Sequence, residues 1–150
     1  MSSLTNDDRV IRFLGNNEIT VLASGDETGG AYCVMELTTQ PRGGATALHT
    51  DRWVETFHVI EGQVEWTVER DAQLVTWVAE RGETIVVPQG AKHRFAGAGD
   101  VPSRMLTVGP AVFEQFFRAL AAAWRGPYDR ERTPQAVGPV FEAFGMQVCA

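Results

Sequence analysis

Short alternating runs of apolar and polar residues, each ended by a turn, dominate the first two thirds of the chain. Val64, Trp66 and Val68 alternate with Glu65, Thr67 and Glu69, the period of a strand with one buried and one wet face. Comparable runs extend from Glu18 to Ala23, Ala31 to Thr38, Thr56 to Ile60, Gln73 to Ala79, Thr84 to Val87, His93 to Ala96 and Arg104 to Val108. Between them stand Gly29-Gly30, Gly43-Gly44, Glu61-Gly62, Arg81-Gly82, Gln89-Gly90 and the segment from Gly97 to Asp100, each with a residue that tolerates a reversal. Many short strands with such even punctuation predict an all-β fold, a double-sheet barrel of the jelly-roll kind, over about residues 18–109.

After Gly109-Pro110 the period changes. Phe113, Phe116, Phe117, Leu120 and Trp124 recur every three or four residues, which predicts an amphipathic helix starting at Pro110 and stopped by Gly126-Pro127. A second, short helix is expected from Pro139 to Phe144, closed by Gly145. The chain is thus expected to be a single domain over residues 1–150, a barrel followed by a C-terminal α-helical tail over about 110–145.

Composition then narrows the partners. Apolar residues make up 44% and charged residues 21%, which suits a globular domain rather than a disordered one. The 13 basic and 19 acidic residues give a net charge of −6 with no basic cluster, so nucleic acid is not an expected partner. The opening MSSLTNDDRV has two adjacent acids and no apolar stretch, so no signal peptide or membrane span is expected, and the cytoplasm is the expected location. Cys33 and Cys149 lie far apart in the chain, and a disulfide between them is not expected.

Candidate chemistry is concentrated in two segments, GGATALHTDRWVETFHVIEG and GETIVVPQGAKHRFAG. In an extended segment His49 and Asp51 point to one side, and Glu55 shares a side with Phe57 and Val59. A carboxylate on an otherwise apolar face needs a partner. Two imidazoles and a carboxylate converging on one point make a facial triad with open positions, so His49, Glu55 and His93 are the expected ligands of one divalent transition metal. Fe(II) is the first choice by ligand chemistry, with Mn, Ni, Cu and Zn as alternatives. Asp51 is either a fourth ligand or an acid/base group, and Asp51 and Glu55 are the catalytic candidates. His58, on the opposite face from Glu55, is expected outside the metal site. Met35, Phe57, Trp66, Phe95 and Met105 are expected to line a substrate pocket, with Thr107 and Tyr32 as its candidate polar groups.

These two segments resemble the two motifs of the cupin superfamily. The first family motif runs Gly, five residues, His-x-His, three or four residues, Glu, six residues, Gly; Gly43, His49, Glu55 and Gly62 keep that spacing, with Asp51 in place of the second His. The second runs Gly, five residues, Pro-x-Gly, two residues, His, three residues, Asn; Gly82, Pro88, Gly90 and His93 match it, with Gly97 in place of the Asn. ASGDETGGAY and PAVFEQFFRAL extend the likeness to small quercetinase-like cupins of bacteria. The resemblance implies a cupin double-stranded β-helix and a metal-dependent dioxygenase acting on a small aromatic or enol-bearing molecule. A polyketide cyclase or isomerase, or a non-catalytic small-molecule binder, is the alternative. It also implies a homodimer, for which an outward face bearing Val75 and Trp77, together with the Phe-rich helix, offers apolar surface.

Overall fold

In the computed structural model, which describes residues 4–14, 17–43, 47–127 and 129–149, the alternating runs become strands of two antiparallel sheets. The strands are β1 (Val10–Phe13), β2 (Asn17–Ala23), β3 (Cys33–Thr39), β4 (His49–Thr50), β5 (Glu55–Glu61), β6 (Gln63–Arg70), β7 (Gln73–Ala79), β8 (Thr84–Val87), β9 (His93–Ala98), β10 (Ser103–Gly109) and β11 (Gln147–Val148). One sheet runs β1-β2-β3-β10-β5-β8 and the other β11-β4-β9-β6-β7. Burial follows the alternation: in β3, Cys33, Met35, Leu37 and Thr39 are buried while the residues between them are half-buried. The inward residues of the two sheets meet as one core, the jelly-roll arrangement that the turn spacing predicts.

Two glycines show why the turns fall where they do. Gly62 joins β5 to β6 at φ +77°, and a Cβ there would come within 2.8 Å of the Pro102 carbonyl oxygen. Gly97, the position where the family motif has Asn, lies against the Gln40 backbone, and a Cβ would strike its carbonyl oxygen. Gly97 N–H donates to the Gly43 carbonyl and the Arg42 N–H to that of Gly97, so close backbone approach excludes any larger residue. Gly44, of the expected turn, lies outside the described residues.

The helical tail is α1 (Ala111–Ala123) and α2 (Arg132–Ala143). Neither helix is long and apolar enough to cross a membrane. The first agrees with its apolar stripe: Phe113, Phe116, Phe117 and Leu120 are buried, with Phe117 against Phe13 of β1 at 5.1 Å between ring centroids. Helix α2 starts seven residues before the expected Pro139, which lies inside it. Asp129 explains the early start, since its Oδ1 accepts the N–H groups of Glu131 and Arg132 as a cap does. Thr133 and Val137 then bury one face, and this outweighs the hydrogen bond that Pro139 removes.

Three further expectations are corrected. Strand β1 precedes the expected start of the barrel and β11 joins the five-stranded sheet from beyond its expected end, because pairs as short as Ile11/Phe13 and Gln147/Val148 carry little periodic signal. Val75 and Trp77 do not face outward. They pair with Val68 and Trp66, whose side chains are fully buried, and so lie on the inner face of that sheet at its free edge. The outward residues of β7 are Leu74, Thr76 and Val78, all exposed. Tyr32 is 47% exposed in the loop before β3, so it does not line the interior, whereas Thr107 is buried and donates to the Thr56 carbonyl.

Glu114 anchors α1 to the barrel. This buried carboxylate accepts from Ser24 Oγ at 3.1 Å, from the Gly25 N–H at 2.9 Å and from Arg118 Nε at 2.9 Å. Glu114→Ala leaves Ser24 Oγ and the Gly25 N–H buried without this acceptor, while the part-exposed Arg118 can turn to water, and should lower unfolding free energy by about 2 kcal/mol in chemical denaturation. A loss within experimental error would show that α1 is held by its apolar face alone.

Candidate metal centre

Strand pairing brings the candidate ligands together. His49 of β4 and His93 of β9 are direct partners in the ladder, so their side chains share the inner face, with ring centroids 4.3 Å apart. Asp51 follows β4 by one residue, and its carbonyl is fixed by the Gly90 N–H at 3.0 Å. Glu55 opens β5 in the opposite sheet. The four side chains therefore meet between the sheets and are all buried.

The imidazoles are oriented by their own backbone. His49 Nδ1 lies 2.7 Å from the Ala47 carbonyl and His93 Nδ1 lies 2.9 Å from that of Ala91. A carbonyl only accepts, so each Nδ1 carries the proton and each Nε2 presents a lone pair to the centre. There, His49 Nε2 is 3.6 Å from Asp51 Oδ1, and His93 Nε2 is 3.1 Å from Asp51 Oδ2 and 3.5 Å from Glu55 Oε2. The ligand atoms of His49, Asp51 and His93 all lie within 4.8 Å of one another.

With both rings neutral this arrangement is untenable. Both Asp51 oxygens are buried, and no donor reaches them unless Glu55 or a ring nitrogen carries an added proton. A buried carboxylate facing lone pairs requires positive charge. Donors around an ion bound at about 2.1 Å stand about 3.0–3.4 Å apart for right-angled to tetrahedral geometry; the 3.1 Å spacing falls in that range and the 3.5 and 3.6 Å spacings lie just above it. The donor set thus fits a divalent cation, and no large rearrangement is needed to accept one.

Protons fill the same electrostatic role without an ion. Burial disfavours the charged form of His93, yet hydrogen bonds to Asp51 and Glu55 outweigh it and raise the ring to about 10. Burial pushes Glu55 up to about 8, and the adjacent Asp51 adds to the shift. Burial also pushes Asp51 upward, but hydrogen bonds with His93 and Glu55 prevail and hold it below the ordinary aspartate value. His49 is lowered, first by burial and then by the neighbouring His93.

Aromatic side chains close the layer beside the ligands. Phe57, Trp66 and Phe95 lie two residues along their strands from the Glu55, Val68 and His93 level. Their centroids are 4.7 Å apart for Phe57 and Trp66 and 5.1 Å for Trp66 and Phe95. Met35 and Met105 are buried in the same interior. His58 points to the other face of β5, where Nδ1 meets Thr84 Oγ1 at 2.8 Å. Trp53, which the sequence does not single out, also belongs to the site, since its indole N–H donates to Glu55 Oε1 at 2.9 Å. Its position two residues before Glu55 was the available signal.

Two facing antiparallel sheets enclosing a His-and-carboxylate cluster define a β-barrel protein with a candidate metal site in its interior. The chain belongs to the cupin family: the family model described as Cupin domain matches residues 35–109. No curated protein matches the chain. Among solved structures, a recombinant oxalate oxidase in complex with glycolate is similar with a TM-score of 0.53 and 21% identity, over 63% of this chain and 51% of that one. The chain therefore spans about half the length of that relative. Hydroxypropylphosphonic acid epoxidase from S. wedmorenis gives a TM-score of 0.58 at 13% identity, over 72% of this chain and 58% of that one. The polyketide cyclase RemF from Streptomyces resistomycificus gives 0.59 at 19% identity, over 96% and 98% of the two chains. These likenesses establish the fold.

Two predictions follow from the cluster. His93→Ala and Asp51→Asn should each lower bound divalent metal by tenfold or more, on the order of a lost ligand or ligand partner, while His58→Ala retains it, as elemental analysis will show. Retention in both site variants would overturn the assignment. Chelator-treated protein should also lose stability as pH rises. Glu55 and His93 both bind their protons more tightly when folded, so their contributions are complete below about 4.5 and 6.5 and are lost as pH rises through about 8 and 10. Added divalent ion should remove that decline, because it replaces the protons. Equal melting temperatures for metal-free protein at pH 6 and pH 9 would contradict this.

Proposed function

We propose that this chain is a metal-dependent enzyme that cyclises or isomerises a small enol-bearing aromatic molecule of the polyketide type. The observation that carries the reading is the buried carboxyl pair, Asp51 and Glu55, set against two imidazole Nε2 atoms. This group can hold a divalent ion and also handle protons, and it needs no electron acceptor to do either. The likeness to a polyketide cyclase supports the choice, since it covers 96% of this chain and so takes in the helical tail as well as the sheets.

His49, Asp51 and His93 are the side chains that would hold the ion. Once bound, it would supply Lewis acidity toward a carbonyl or enol oxygen. Glu55 would present Oε2 to the same ion as a further oxygen donor, and its carboxylate is also the group to accept and return a proton at carbon or oxygen. Phe57, Trp66 and Phe95 offer flat apolar faces to an aromatic ring and exclude water from the centre.

A second reading, dioxygenation by a quercetinase-like enzyme, is favoured by the donor set, because two His and one carboxylate leave coordination positions open. Oxygen dependence separates the two. Metal-loaded protein incubated with a panel of phenolic β-polyketones and quercetin should convert a polyketone to a product lighter by one water, at the same rate with and without O₂. Turnover that requires O₂ and consumes it in step with substrate would replace cyclisation by dioxygenation. Metal uptake with no turnover of either kind would favour a binding role.

A further inference from the structure

Glu55 differs from the other members of the cluster in how it is held. Each imidazole is fixed by a backbone carbonyl, whereas Glu55 is fixed by a side chain, Trp53, through the 2.9 Å indole hydrogen bond to Oε1. Both partners are buried, Glu55 at 3% and Trp53 at 8% exposure, so water does not compete for the bond and it is charge-assisted whenever Glu55 is ionised. The other oxygen, Oε2, is the one 3.5 Å from His93 Nε2.

The indole is itself fixed from the helical tail. Its ring lies 6.0 Å from Phe113 and 6.4 Å from Phe116, both buried residues of α1. Phe113 also touches Phe57, two residues beyond Glu55, with centroids 6.2 Å apart. A bicyclic side chain wedged against two rings has little rotamer freedom, and the direction of its N–H is therefore set by the packing of α1.

We propose that Trp53 is the positioning residue of the metal centre: it occupies Oε1 of Glu55 so that this carboxylate presents Oε2 alone to the ion. The inference rests on the metal-centre reading above. It gives α1 a part in the chemistry, because the helix packs the indole that orients the carboxylate. Without the indole N–H, Glu55 is free to rotate and offer both oxygens, which alters the number and symmetry of the oxygen donors around the ion.

Cobalt(II) is the probe, since its visible spectrum reports the number and geometry of its ligands and needs no turnover. Trp53→Phe, and replacement of Trp53 by 3-benzothienylalanine, which keeps the bicyclic shape and puts sulfur in place of N–H, should both change the cobalt spectrum. Both should weaken cobalt binding by about tenfold, the usual scale for removing a partner of a ligand. The benzothienyl variant keeps the test open if Trp53→Phe does not fold. In a Glu55→Gln background the same replacements should have no further effect on the spectrum, as expected for residues that act as one unit. Phe113→Leu, which loosens the packing that aims the indole, should lower the melting temperature and shift the spectrum in the same sense as Trp53→Phe, by less.

Wild-type spectrum and affinity in the benzothienyl variant would overturn the inference. So would an equal change in the Glu55→Gln background, or a wild-type spectrum in Phe113→Leu. Wild-type protein that takes up no cobalt would instead remove the metal-centre reading itself.

Discussion

Asp51 is the residue on which the interior depends. A carboxylate buried between two imidazole lone pairs is stable only with positive charge beside it, and the surrounding structure is arranged to supply that charge from either protons or an ion. The two backbone carbonyls that accept from Nδ1–H of His49 and His93 commit both rings to face inward with Nε2. Glu55, from the opposite sheet, then closes the cluster, so the centre also ties the two sheets together. In the metal-free protein hydrogen bonds to the two carboxyl groups favour the charged form of His93, so a proton there supplies the positive charge that an ion would bring.

Replacing the second histidine of the family motif by aspartate changes what such a centre prefers. Two imidazoles with two carboxyl groups carry more negative charge than three imidazoles with one, which lowers the Lewis acidity of a bound ion and favours harder cations. The oxalate oxidase and the epoxidase match 63% and 72% of the chain, and the polyketide cyclase matches 96% of it. One fold is thus shared by proteins of different chemistries, so the fold does not decide a reaction; the side chains of the site do.

Much of this was legible in the sequence, for physical reasons. Strands such as Gln73 to Ala79 and Thr84 to Val87 have the bounds that alternation gives, and His49 and His93 share a face because both lie in extended segments. The spacing placed Asp51 near the ligands and could not say how close, because the residue lies just past the end of β4, where side-chain direction is no longer set by pleating. The face of β7 was misread for a related reason: both sides of that edge strand are apolar and largely exposed, so only the pairing with β6 settles which way Val75 and Trp77 point. The role of Trp53 is weakly marked in the sequence: its place two residues before Glu55 puts the two on one side, but an indole gives no sign by itself of which acceptor its N–H finds.

The strand that carries His49 is only two residues long, and it is held on one side by β9 and on the other by β11. Val148 pairs with His49 itself, Gln147 with Thr50, and the Cys149 N–H donates to the Leu48 carbonyl at 2.7 Å. A ligand encoded early is thus framed by a segment about a hundred positions later. During synthesis the barrel can pair most of its strands while β4 still lacks its outer neighbour, so the centre is among the last parts of the fold to be completed. An ion arriving before that point would meet a half-built site, and capture of the right one is deferred until the chain has closed around its own beginning.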